Sequence, residues 1–160
     1  MRDRHKRQGN EHPPQEAKAM VLGYLEERFG LSPDEFKGFG LYMASKGRVY
    51  LGPERAIGSP RIVCVGVTIA RLSGAVKPST NLIQLFGRQM SRNMVALENK
   101  EALSYAKGED LLLPAERLGH VTPGYVALTY LGIPLGCGLL KDGSIRNMLP
   151  KAKRLELRFI

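Results

Sequence analysis

Few side chains in this sequence have the types and spacing that catalysis requires. The three histidines are His5, His12 and His120, and no two of them have the spacing of metal ligands or of a nucleophile relay. The two cysteines, Cys64 and Cys137, lie in apolar runs, where burial raises the pKa of a thiol and makes it unreactive. We therefore predict two buried, reduced thiols, no catalytic residue, no metal site and no cofactor.

The chemistry that the sequence does support is the binding of polyanions. Segment 141–158 carries two acidic residues against six basic ones, which are Lys141, Arg146, Lys151, Lys153, Arg154 and Arg158. Cations clustered beside turn backbone can neutralise the phosphates of a nucleic acid. Asn147, in the same segment, would either fix the turn or contact a nucleotide. The alternative is a solvated basic turn without a ligand.

The charge of the whole chain agrees with such a partner. The 160 residues have a formal net charge of +9, and Lys77, Arg88 and Arg92 form a second basic group that either extends the footprint or decorates a helix surface. No run of alternating aromatic and basic residues provides a stacking platform for single strands. Recognition of backbone and shape, as in structured RNA, is the remaining interpretation.

The elements that position these residues begin with a small α/β unit. Apolar residues at Ala19, Leu22, Leu25 and Phe29 predict a helix from Gln15, which Gly30 would end. A short second helix follows Ser32, and the runs GLYMAS and RVYLG predict a hairpin that turns at Lys46-Gly47.

The rest of the chain is rich in strands. RIVCVGVTIARL, NMVAL, YVALTYL, PLGCGLL, SIRNML and RLELRF are the predicted strands. Helices start near Ser79 and Asn99, and Asp142-Gly143 is a tight-turn signal. We therefore predict an α+β fold in which a small mixed β-barrel with short helices follows the α/β unit.

The organisation along the chain follows from composition. Residues 1–14 are basic and nearly free of apolar side chains, which predicts a disordered arm. We place an α/β subdomain at 15–55 and the strand-rich domain at 56–160. The sequence has neither the apolar run of a signal peptide nor an uninterrupted membrane span. We therefore expect a cytoplasmic protein without a membrane partner.

Three phrases of the strand-rich domain resemble a known family. They are YAKGEDL at 105–111, GIPLGCG at 132–138 and RNMLPKAKR at 146–154. The C-terminal PUA-like domain of Sun/RsmF-type RNA cytosine-5 methyltransferases has the patterns Y-x-x-G-E-x-L, G-x-P-L-G-x-G and K-N-x-x-P-K-x-x-R. The chain resembles that domain, with Arg146 where lysine is usual. Segment 63–85 is similar to the domain's first strands and helix start, and 17–53 to the unit that often precedes it.

The resemblance implies a free-standing RNA-binding module that binds structured rRNA or its precursor, or a tRNA-like RNA, in ribosome biogenesis. A chain of 160 residues has no room for the methyltransferase domain as well, so we expect no enzymatic activity. Two alternatives stay open. The protein would act as an RNA-binding or docking subunit for a separate methyltransferase or ribosome-assembly protein, or would itself modify RNA.

The predicted RNA surface combines both lines of reasoning. Its main part consists of Lys141, Arg146, Asn147, Lys151, Lys153 and Arg154. Gly136 and Gly138 would keep its wall flat, and Lys77 and Arg88 would extend it.

Overall fold

The computed structural model describes residues 15–55 and 66–155. The predicted arm at 1–14, the thiol of Cys64 and the cation of Arg158 lie outside these ranges. In the described part the chain forms three α-helices and nine β-strands, joined by short 3-10 turns. None of the helices described is long and apolar enough to cross a bilayer.

The first helix, α1, spans Gln15–Phe29, as the apolar spacing predicts. Val21 and Leu25 are buried on the face that it turns to the core, whereas Ala19, which we expected on that face, is exposed. Gly30 ends the helix with a φ of 66°, a conformation that favours glycine.

Four strands then form an antiparallel sheet in chain order. They are β1 (Phe39–Met43), β2 (Arg48–Pro53), β3 (Val67–Ser73) and β4 (Ala75–Pro78). The predicted hairpin turn joins β1 to β2, and Lys46 and Gly47 in it have φ values of 61° and 72°. Leu41, Val49 and Ile69 are buried in the first hydrophobic core, so one face of this sheet is covered.

Two short helices begin where the sequence predicts them. They are α2 (Thr80–Phe86) and α3 (Asn99–Ala106). The hydroxyl of Ser79 accepts a hydrogen bond from the N–H of Leu82 at the start of α2. Glu98 and Glu101 form a reciprocal capping box at the start of α3.

Five strands form the second sheet, in the order β5-β7-β8-β9-β6. Their bounds are β5 (Met94–Ala96), β6 (Leu111–Leu112), β7 (Gly124–Tyr130), β8 (Ile133–Lys141) and β9 (Ser144–Asn147). β5 pairs with β7 in parallel and the other pairs are antiparallel, so the sheet is mixed. The predicted turn at Asp142-Gly143 joins β8 to β9, with φ values of 52° and 75°.

The second sheet separates two hydrophobic cores. Ala127 and Cys137 on one face pack into the first core with α1, α2 and the first sheet. Val126, Leu128 and Ile145 contribute to the second core, which Tyr105 of α3 completes. The chain is therefore a mixed α/β structure with a curled sheet and few short helices, and the predicted fold class is confirmed.

Strand pairing crosses the domain boundary that the sequence suggests at residue 55. We assigned β3 and β4 to the C-terminal domain, but β3 pairs with β2 of the N-terminal hairpin. The division into 15–55 and 56–160 stays a prediction. In the last predicted strand, RLELRF, Arg154 and Leu155 are not in a strand and the other residues lie outside the described ranges.

Candidate nucleic-acid interface

The C-terminal turn, residues 150–155, holds three of the predicted cations. Lys151–Lys153 form a single 3-10 turn after Pro150. The N–H of Leu155 donates to the carbonyl oxygen of Ala106 at 2.8 Å, which attaches the turn to the end of α3. The cations on this turn therefore have a fixed position relative to the second sheet.

Asn147 holds the chain segment that leads into this turn. Its side-chain amide donates to the carbonyl oxygens of Tyr105 (2.8 Å) and Glu109 (2.9 Å), and its Oδ1 accepts from the N–H of Leu149 (2.9 Å). Only 8% of the residue is exposed. Of the two roles that the sequence left open, the structure places Asn147 in the one that fixes the turn, and its amide is not presented to RNA.

Gly136 and Gly138 also face the interior. A Cβ on Gly136 would overlap the hydroxyl of Tyr105, and one on Gly138 would lie 2.5 Å from the Cγ2 of Ile145. Both glycines are buried, so they permit close packing inside the domain. The prediction that they flatten an RNA-facing wall is corrected on this point.

Lys153 is attached to the second helix. Its ammonium group donates to Oδ1 of Asn81 at 2.6 Å and to Oε1 of Gln84 at 2.8 Å. The amide nitrogens of these residues in turn donate to the carbonyl oxygens of Thr68 (3.0 Å) and Leu135 (2.9 Å). The charge of Lys153 is thus held at one point while its side chain stays exposed.

The other two cations of the turn differ in burial. Lys151 is exposed, whereas Arg154 is partly buried and packs across Gly108, where an added Cβ would lie 2.5 Å from the Cδ of Arg154. The Nε of Arg154 donates to the carbonyl oxygen of Leu149 at 3.0 Å. Lys151 therefore presents an exposed charge and Arg154 an oriented one.

A cleft of about 390 Å³, here called the α2–α3 cleft, opens beside Lys153. Its apolar lining includes Leu103, which is 45% exposed, and Leu135. Polar groups are at its rim, and they come from Gln84, Asn99, Tyr130 and Lys153. An apolar floor with amide and ammonium groups at the edge suits a flat, polar-edged ligand such as a nucleobase.

The α2–α3 cleft is the part of the site that sequence reasoning missed. Asn81 and Gln84 are polar positions on a short helix, and their spacing carries no signal that they meet a lysine about seventy residues away. Only the topology, which places the C-terminal turn between α2 and α3, brings them together.

Lys141 and Arg146 form a separate group on the β8–β9 hairpin. Lys141 pairs with Ser144, and Arg146 pairs with Leu139, so the two cations are diagonal neighbours with Cβ atoms about 7 Å apart. Both side chains are exposed and point away from the face on which Ile145 is buried. We call Lys141 and Arg146 the hairpin group, and Lys151, Lys153 and Arg154 the turn group.

The two predicted extensions also lie in different places. Arg88 is exposed in the 3-10 turn Gly87–Gln89 that follows α2, and Gly87 beside it packs against Pro134. Lys77 is exposed on β4, which belongs to the first sheet. Only Arg88 follows directly on a wall of the α2–α3 cleft.

The described residues with catalytic potential have structural roles. Cys137 is buried, as predicted, and desolvation raises the pKa of its thiol to about 12. His120 is exposed, with its Nε2 at 2.8 Å from the carbonyl oxygen of Met94. The pKa of Glu101 is lowered, mainly by its hydrogen bond with Arg117, which joins α3 to the following loop. In the described ranges no three His, Cys, Asp or Glu side chains cluster as metal ligands would.

The part of the chain that holds the mixed sheet, α3 and the basic turn is similar to a PUA domain, and this similarity indicates RNA binding. Residues 92–155 match the family described as the methyltransferase RsmF PUA domain. This agrees with the resemblance to Sun/RsmF-type methyltransferases, whose three phrases all lie within the match. The match covers less than half of the chain, and the resemblance of 17–53 and 63–85 stays a prediction. A search of curated proteins gave no match.

Proposed function

We propose that this protein binds structured RNA in the cytoplasm, without a reaction of its own, and acts on rRNA or its precursor in ribosome biogenesis. The position of Lys153 is the main support. Its ammonium group is held by the side-chain oxygens of Asn81 and Gln84 at the rim of an apolar cleft, and Lys153 itself belongs to the segment that matches a PUA domain. A fixed charge beside an apolar floor suits a phosphate and its attached base.

The turn group supplies the contacts to the backbone in this proposal. Lys151 and Lys153 give ammonium donors, and Arg154 gives a guanidinium whose Nε is already oriented by the carbonyl oxygen of Leu149. Such cations bind phosphate oxygens through charge-assisted hydrogen bonds. They fix the register of the RNA and carry no sequence information.

The α2–α3 cleft supplies the selectivity. Leu103 and Leu135 offer apolar surface to the face of a base, and the amide of Asn99 lies at the rim. Bases inside an A-form duplex are stacked and paired, so a base that enters the cleft must come from a loop, a bulge or an end. The preferred ligand is therefore a folded RNA with an unpaired nucleotide next to a helix.

A binding titration with two RNA probes tests the proposal. The variant Lys151→Ala/Lys153→Ala removes two exposed cations, and we expect affinity for a labelled rRNA hairpin to fall at least about tenfold. The slope of log affinity against log salt should fall by about two. A blunt duplex of the same stem should bind more weakly than the hairpin, because it offers no unpaired base.

A matched variant keeps this test specific. Lys18→Ala/Lys37→Ala removes the same charge from exposed positions on α1 and the loop after it, and should leave affinity within about twofold. Equal affinity of the Lys151/Lys153 variant and the unmodified protein would remove the turn from the interface. Equal binding of hairpin and duplex would remove the cleft.

The second candidate is an RNA-binding or docking subunit of a separate RNA methyltransferase. The observation that favours it is the family itself, whose PUA domain belongs to a methyltransferase. This candidate predicts that a tagged chain retains a methyltransferase during purification and that its own RNA affinity is weak. Incubation of the purified protein with a labelled methyl donor and rRNA distinguishes these two candidates from an RNA-modifying enzyme. Transfer of the label to the rRNA would show methyltransferase activity.

A further inference from the structure

The outer face of the first sheet carries three cations side by side. Arg48 on β2 pairs directly with Arg71 on β3, and Arg71 pairs directly with Lys77 on β4. Side chains that are directly opposite in antiparallel strands leave the sheet on the same face, with Cβ atoms about 5 Å apart. We call Arg48, Arg71 and Lys77 the cationic row.

The cationic row faces away from the first core. Val49, Ala70 and Val76, which neighbour the three cations in the chain, are buried in that core. Because successive residues of a strand point to opposite faces, the cations point outward. Arg71 and Lys77 are exposed and Arg48 is partly buried.

Nothing acidic in these strands compensates the row. Residues 39–53 and 66–79 contain no Asp or Glu, and no acidic residue occurs between Glu54 and Glu98. None of the ion pairs among the described residues includes a member of the row. Like charges that are directly opposite in a sheet destabilise it, so the arrangement opposes folding.

One member of the row is held in place. The guanidinium of Arg48 donates from Nε to the carbonyl oxygen of Ser45 and from Nη2 to its hydroxyl, both at 3.3 Å. It also lies 5.9 Å from the ring centroid of Tyr50 on the same strand. The charge at this end of the row therefore has a fixed position.

We propose that the cationic row is a second binding site for the sugar–phosphate backbone of RNA, outside the segment that matches the PUA family. The proposal rests on the proposed function for the identity of the polyanion. Three cations spaced like adjacent strands, on strands that contain no carboxylate, suit a continuous chain of phosphates. The site binds any RNA sequence, because every contact is to phosphate.

The variant Arg71→Gln/Lys77→Gln tests the row in the full chain. Neither side chain has a hydrogen bond or ion pair among the described residues, and glutamine keeps much of the side-chain length. We expect affinity for the labelled rRNA hairpin to fall about tenfold and the salt slope to fall by about two. The melting temperature should stay equal or rise, because the repulsion between paired cations is relieved. A residue that served only to stabilise the sheet would give the opposite change in melting temperature.

Comparison with two other variants gives each outcome a meaning. If Arg71→Gln/Lys77→Gln binds RNA like the unmodified protein while Lys151→Ala/Lys153→Ala does not, the row is refuted and the proposed function stands. If the row variant loses affinity and the turn variant does not, the row stands and the proposed site is wrong. An equal loss in Lys18→Gln/Lys37→Gln would reduce the row to an effect of net charge and overturn it. Unchanged RNA binding with lost binding to polyglutamate would overturn it in favour of an acidic protein.

Discussion

The two sheets of this protein carry their positive charge in different ways. Beside the second sheet, Lys153 is bound by Asn81 and Gln84 next to a cleft. On the first sheet, Arg71 and Lys77 project from paired strands, where no carboxylate neighbours them in sequence and no described ion pair includes them. The first arrangement fixes where a ligand group must lie. The second attracts phosphate wherever it lies along the face.

This difference separates geometry from charge as sources of affinity. A cation held by neutral oxygens keeps its full charge but loses freedom, so the loss of its partners changes binding without a change in net charge. Arg71 and Lys77, which have no such partners among the described residues, act mainly through Coulomb attraction, which salt screens. Variants that alter geometry at constant charge should therefore change RNA affinity more around Lys153 than at the cationic row.

The largest expected effect comes from removal of the Asn147 side chain, which holds the C-terminal turn beside the second sheet. In Asn147→Leu, the carbonyl oxygens of Tyr105 and Glu109 and the N–H of Leu149 lose their buried partner. At about 1–3 kcal/mol for each unsatisfied group, the loss is about 4 kcal/mol, or about 10 °C in melting temperature. Thermal unfolding followed by circular dichroism measures it.

Arg146→Gln, on the next residue, is the control for this prediction. Arg146 is exposed on the outer face of β9, and its replacement should change stability by less than about 0.5 kcal/mol. If both variants unfold at the same temperature, Asn147 does not hold the C-terminal turn.

The next largest effect tests how α1 is joined to the second sheet. Arg28 of α1 donates to the carbonyl oxygens of Tyr125 and Thr122, each at 2.7 Å, and to the Thr122 hydroxyl at 2.6 Å. Arg28→Ala should cost about 2 kcal/mol, because it removes these bonds between the helix and the second sheet. Cys137 lies in the core between them, and burial holds its pKa at about 12, so it should resist thiol reagents.

Separation of α1 from the second sheet would let thiol reagents reach Cys137. Mass spectrometry of the Cys137 peptide, in a Cys64→Ser background, measures the rate of this labelling. We expect Arg28→Ala to speed labelling of Cys137 about tenfold at neutral pH. Arg92→Ala, which loses only a 3.3 Å bond to the carbonyl oxygen of Glu27, should change the rate little. Identical labelling rates in Arg28→Ala and in the unmodified protein would mean that Arg28 does not join α1 to the second sheet.

A smaller effect isolates geometry at constant charge. Gln84→Met removes the oxygen that holds the ammonium of Lys153 at 2.8 Å and leaves the charge in place. We expect RNA affinity to fall about fivefold, because the ammonium group keeps only Asn81 as a partner and its side chain must be ordered further on binding. The salt slope should not change, since no cation is lost. Unchanged affinity would show that Lys153 acts by charge alone.

The sequence predicted the local elements well because their signals are local. Ser79 caps α2, Gly30 ends α1, and the turns at Lys46-Gly47 and Asp142-Gly143 require positive φ. Each of these signals depends on residues within one turn of the chain. The membership of β3 in the first sheet was not predictable in this way, since strand partners are chosen by packing between distant segments.

The candidate site was predictable in its charges and not in its geometry. The cations of the C-terminal turn are visible as a cluster in the sequence, whereas the burial of Asn147 depends on α3, about forty residues earlier. The cationic row is likewise invisible in sequence, because register alone places Arg48, Arg71 and Lys77 together. Composition predicts that a polyanion is bound, and register and topology decide where.

The smallest effect is expected from exchanges of one cation for another, and it tests the comparison most directly. Arg71→Lys keeps a charge on the open face of the first sheet and should change RNA affinity by less than about twofold. Lys153→Arg should weaken binding about threefold, because a planar guanidinium cannot reproduce the donor geometry that meets Asn81 and Gln84. Titrations with the same rRNA hairpin at equal salt measure both. Equal changes in the two variants would contradict the distinction between a geometric and an electrostatic region, because that distinction requires the second sheet to be the more sensitive.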